Sequence, residues 1–114
     1  MATSTIPYAG ADTGTLTAAS GITAERARYT RSGRVVVLGL TFTVGEAISG
    51  TTDELFSGAP QAAMPVRTFL SQANSTNGTT IRVEIDTNGK VRNAYTSGGI
   101  PAGMYEGELT YICS

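Results

Sequence analysis

The sequence predicts an all-β protein, an antiparallel β-sandwich of jelly-roll or immunoglobulin-like proportions, and three observations carry that expectation. The composition belongs to short strands joined by many turns: 14 glycines in 114 residues, 7% aromatics, no tryptophan and no helix-forming run. One stretch, Arg34 to Val44, alternates with a period of two, setting Val36, Leu38, Leu40, Phe42 and Val44 on one face and Val35, Val37, Gly39, Thr41 and Thr43 on the other. Further alternating stretches follow, separated by Gly, Pro, Asn and Asp clusters. A chain of this length makes one core. A partly closed barrel is the alternative architecture.

The Arg34–Val44 stretch is the most apolar in the chain and belongs mid-sheet. Arg31-Ser32-Gly33-Arg34 reads as a tight turn, which makes Thr23 to Arg31 the hairpin partner. With Arg31 facing Arg34, Tyr29 falls opposite Val36 and Ala27 opposite Leu38. The same register sets Glu25 against Leu40, so a bulge is expected before Ala27. Thr52 to Phe56 offers a short strand burying Leu55 or Phe56. Met64 to Ala73 offers another, with Val66, Thr68 and Leu70 on one side and Arg67, Phe69 and Ser71 on the other; Pro65 suggests that it begins at a sheet edge. A hairpin follows, with Ile81, Val83 and Ile85 inward, Arg82, Glu84 and Asp86 outward, and Asn88-Gly89 turning into Val91, Asn93 and Tyr95. The last strand, Met104 to Cys113, turns Tyr105, Gly107, Leu109, Tyr111 and Cys113 to one side. The division expected is an arm or docking segment over residues 1–20 and a β-sandwich domain over 21–114. Ile6, Pro7 and Tyr8 are an unusual apolar cluster for such an arm and are its candidate docking residues.

Several function classes are excluded by composition. Eight basic residues against nine acidic ones give a formal charge of -1, which steers the protein to neither nucleic acid nor an anionic membrane. With no histidine and one cysteine, Cys113, the chain alone builds no zinc site, no His-based triad and no internal disulfide. No cofactor is implied. Neither a secretory leader nor a stretch of transmembrane length is present, so synthesis and retention in a cytosol are expected.

Three patterns suggest chemistry. Asp12-Thr13-Gly14 resembles the aspartic-protease tripeptide, but no apolar strand and hairpin precede it, and a turn is the preferred reading. Asp86-Thr87-Asn88-Gly89 opens like a calcium loop but lacks the third ligand and the closing glutamate, so it is read as a hairpin turn. Glu106 and Glu108 share a strand face, as a glycosidase pair would; pairing with Arg26 and Arg28 is preferred, because no apolar pocket is evident to raise a carboxylate pKa. A non-enzymatic role follows. The loop Thr96 to Gly103, with Ser97 and Ile100 inside it and Tyr95 and Tyr105 flanking it, is the candidate surface for a sugar ring or a protein partner. Half-polar second faces and the apolar arm predict self-association, as a homotrimer.

Ala27-Arg28-Tyr29-Thr30-Arg31-Ser32-Gly33-Arg34-Val35-Val36, running into Leu38 to Val44, resembles the opening hairpin of many phage tail-fibre and baseplate terminal domains. The resemblance continues through Ser49-Gly50-Thr51-Thr52, Leu55-Phe56, Ala59-Pro60, Met64-Pro65-Val66, Gly78 to Val83, Asp86 to Val91 and Leu109-Thr110-Tyr111-Ile112. It covers about residues 22–114, and its force lies in the order of the motifs. It implies a non-enzymatic β-sandwich head, commonly trimeric, made in the host cytoplasm and displayed on the virion. Its implied partners are host surface glycan and other virion structural proteins. Because no fibre or collagen-like stalk precedes the head here, the alternative is a capsid decoration or head-fibre protein docked through Met1 to Ser20.

Overall fold

The computed structural model describes residues 12–48, 54–73, 78–94 and 99–114. Along these residues run β1 (Asp12–Thr15), β2 (Thr17–Ala18), β3 (Ile22–Ser32), β4 (Val35–Val44), β5 (Glu54–Ser57), β6 (Val66–Gln72), β7 (Thr80–Ile85), β8 (Val91–Asn93) and β9 (Gly103–Ile112). All belong to one antiparallel sheet, in the order β1-β3-β4-β9-β6-β7-β8-β5-β2. Its two edges, β1 and β2, are separated along the chain by Leu16 alone, so the chain steps there from one edge to the other. The Leu16 N–H donates to the Ala27 carbonyl at 2.8 Å and the Ala19 N–H to that of Leu55 at 2.9 Å. The sandwich is thereby nearly closed as a barrel, which leaves little free strand edge. Asp12 to Ala18, expected within the arm, are strands of the sheet, and Leu16 is in the core.

The alternation of β4 sets the core. Val36, Leu38, Leu40, Phe42 and Val44 are all buried, facing Leu55, Phe56, Leu70, Ile81, Val83 and Ile85 from the other wall. Phe42 bridges the walls, meeting Phe56 edge to face with ring centroids 5.2 Å apart and Tyr105 at 6.0 Å. Both Leu55 and Phe56 point inward, although they are adjacent. The pairing of β5 with β8 shifts register between Glu54 and Phe56, and this irregularity turns two successive side chains to one face.

The β3–β4 hairpin differs from the expected register by two residues: Ser32 pairs with Val35, Arg31 with Val36, Tyr29 with Leu38 and Ala27 with Leu40. Gly33, with φ of 61°, and Arg34 form the turn. A slip of two keeps every side chain on its face, so the inward set is unchanged. The bulge falls where it was expected, with Glu25 unpaired between Ala24 and Arg26. Asp86, expected outward, is instead buried in its own turn. Its Oδ1 accepts from the Asn88 and Lys90 N–H groups at 2.8 and 3.0 Å, and its Oδ2 meets Arg92 Nε at 3.4 Å. That turn, closed by Gly89 at φ 77°, uses the carboxylate internally, as an Asx turn does, and leaves no calcium loop.

Candidate functional site

The residues expected to bind a partner at the 96–103 loop divide into two groups. Tyr95 and Ser97 lie outside the described residues, as do Ile6, Pro7 and Tyr8 of the docking segment. Ile100 and Tyr105 are fully buried. Ile100 exchanges backbone hydrogen bonds with Ile48 at 2.7 and 2.8 Å. The Tyr105 hydroxyl donates to the Pro101 carbonyl at 2.7 Å, and burial raises its pKa. Both residues are tied into the core and present no surface to a partner. Asp12, of the protease-like tripeptide, is exposed on the edge strand β1 opposite Arg31; Gly14 lies under the Tyr29 ring, where a Cβ would strike it. That glycine therefore serves cross-strand packing, in a strand and not in a turn.

The outer face of β3, β4, β9 and β6 brings other residues together. Arg28 pairs with Gly39 and Gly39 with Glu108; one step along, Arg26 pairs with Thr41, Thr41 with Glu106 and Glu106 with Ser71. Strands β3 and β9 do not adjoin, since β4 runs between them. Gly39, lacking a side chain, lets the Arg26 guanidinium lie across the backbone of β4, where Nη2 meets Glu108 Oε2 at 3.2 Å. Two depressions flank this ion pair. One, of about 250 Å³, is bounded by Arg28, Thr30 and Val37; the other, of about 410 Å³, by Thr41, Ser71, Glu106 and Gly107. Phe69, on the same face of β6 as Ser71 and two residues away, is 63% exposed. Of the pairing expected of Arg26 and Arg28 with Glu106 and Glu108, only Arg26–Glu108 forms among the described residues, and across β4 rather than between adjoining strands. Nothing in the sequence signalled that a glycine would form the floor, because Gly39 matters only through what lies above it.

Nearer the β3–β4 hairpin, the same face turns apolar. Val35, Val37 and Ile112 are exposed there, and an apolar depression of about 440 Å³ runs from Ile112 to Met64, which is 73% exposed.

No family model and no curated protein matches the sequence. Solved structures do. The head domain of lactococcal phage bIL170, described as a receptor-binding domain, matches over 90% of this chain and 98% of its own, with a TM-score of 0.70 at 10% identity. The receptor-binding protein gp15 of Listeria phage PSA matches over 92% of this chain with a TM-score of 0.64 at 16% identity, and the match spans 66% of that protein. The fold is thus that of phage receptor-binding heads, as the resemblance to phage tail-fibre and baseplate terminal domains implied.

Proposed function

We propose that this chain is a non-enzymatic attachment domain of a bacteriophage virion, displayed at the tail and binding a glycan of the host surface. The observation that carries the reading is the likeness over nine-tenths of the chain, at a TM-score of 0.70, to a phage head domain described as receptor-binding. The open polar face beside Arg26 and Glu108 agrees with it, since such a surface suits recognition more than a reaction that needs an enclosed, desolvated site. Copies associate as a homotrimer, and the exposed apolar side chains Val35, Val37, Ile112 and Met64 support this, Val35 and Ile112 being cross-strand partners.

The test is sedimentation of the labelled full chain with cell-wall sacculi from a panel of Gram-positive bacteria that includes lactococci and Listeria. Saturable binding, competed by polysaccharide released from the same sacculi, is expected. Absence of binding to every wall, together with binding to purified phage capsids, would replace this reading with capsid decoration.

A further inference from the structure

We propose that the two depressions beside the Arg26–Glu108 ion pair form one binding site for a neutral saccharide unit, with Phe69 as its stacking surface. The inference rests on the attachment reading and moves the ligand from the 96–103 loop to the sheet face. It begins with a glycine. Gly39 sits inside the long paired strand β4, where a residue without a side chain weakens the strand and often marks the close approach of another group. At Gly39 that group is the Arg26 guanidinium. The ion pair so formed is exposed, with half or more of each side chain in solvent, and exposed pairs add little to stability. Stability therefore does not account for a glycine at the centre of the sheet, whereas a shallow polar bowl does.

The charges select the ligand. Arg26 and Arg28 stand against Glu106 and Glu108, so the bowl is balanced and favours neither an anion nor a cation. Arg28 and Glu106 make no ion pair among the described residues. Guanidinium groups only donate and carboxylates only accept, so a ligand that fills both roles at one carbon skeleton suits this face. A sugar hydroxyl does this: it accepts from an arginine while donating to a glutamate, and adjacent hydroxyls engage a planar guanidinium in pairs. Thr41 and Ser71 add hydroxyls at the rim. Phe69 supplies the remaining feature, an exposed ring on a paired strand, whose face suits the apolar C–H side of a pyranose. Because these residues sit on mutually paired strands, the surface is already arranged before the ligand arrives.

The test uses the full chain and the polysaccharide released from the sacculi that it binds, with affinity read by calorimetry and location by amide chemical shifts. Shifts are expected at residues 26–28, 39–41, 69–71 and 106–108. Phe69→Ala, Arg26→Ala and Glu108→Gln should each weaken binding at least about tenfold while the fold, read by the same spectra, is kept. Ala47→Arg, at an exposed position beside the Ile48–Ile100 bridge and outside both depressions, should leave it unchanged. Raising NaCl from about 50 to 500 mM should change the dissociation constant less than about threefold, because a neutral ligand releases few counterions. Wild-type affinity in the three face variants, or loss of binding in Ala47→Arg, overturns the site but leaves the attachment reading standing. A tenfold or greater salt effect overturns the neutral ligand. Failure of the wild type to bind any sacculus overturns both readings.

Discussion

Arg26 reaches Glu108 across Gly39, joining β3 to β9 over the backbone of the strand between them, with Nη2 and Oε2 3.2 Å apart. Gly39→Val separates the two roles of this position. The branched side chain would occupy the place of the guanidinium, the movable end of a long side chain, and a β-branched residue suits a strand. We expect a melting temperature equal to or above that of the wild type, read by calorimetry, with polysaccharide binding lost.

Gly107→Ala has the opposite result. A Cβ there would meet Leu70 in the core and crowd its side chain. Overpacking of this kind destabilises by about 1–3 kcal/mol, measured by urea unfolding.

Leu40 and Thr41 test the face assignment. Leu40 is buried under the sheet and Thr41 looks outward beside Glu106. Leu40→Asp buries a charge without a partner, at a cost of several kcal/mol against a total stability of about 5–15 kcal/mol, and should yield no folded soluble protein. Thr41→Asp should fold with a modest loss. Equal melting temperatures for the two variants would invalidate the assignment.

Alkaline pH should lower the stability of the protein through Tyr111. Its hydroxyl donates to the Pro60 carbonyl at 2.7 Å. Burial first, then the neighbouring Cys113 and Tyr29, push its pKa up to about 12, against the lowering effect of Arg31. The native state then holds a proton that the unfolded chain releases above pH 10, so this contribution is intact below pH 10 and declines as pH rises towards 12. Tyr111→Phe should flatten the alkaline limb of stability measured by urea unfolding against pH.

Self-association should depend on the apolar row. Val37→Lys combined with Ile112→Lys changes two exposed side chains and should give a folded monomer where the wild type sediments as a trimer. A wild type that is monomeric at about 100 µM contradicts the trimer itself; an unchanged trimer in the variant contradicts only the choice of surface.

Much of the fold was legible because alternation is a local signal that burial enforces. The β4 pattern, the inward set of β9 and the bulge at Glu25 all follow from which side chains must leave water. The exact hairpin register was not legible, because pairings that differ by two residues bury the same set. Nor was the closing step at Leu16, which depends on contacts between distant strands. For the binding surface, the two tyrosines beside a glycine-rich loop suggested aromatic anchors, with Tyr95 the better placed because Tyr105 shares a face with Leu109; Tyr105 indeed has a carbonyl to bond and a core to fill. Phe69 looked like one side of an ordinary strand. Its significance comes from the bowl assembled from β3, β4, β9 and Ser71 of its own strand β6, two residues away on the same face.

The most direct measurement is the affinity of the full chain for polysaccharide from a wall that it binds, compared between wild type and Phe69→Ala by calorimetry. The account predicts a loss of at least about tenfold with an unchanged melting temperature, since an exposed ring contributes little to folding but a stacked one contributes substantially to binding. Equal affinities in the two proteins would contradict it.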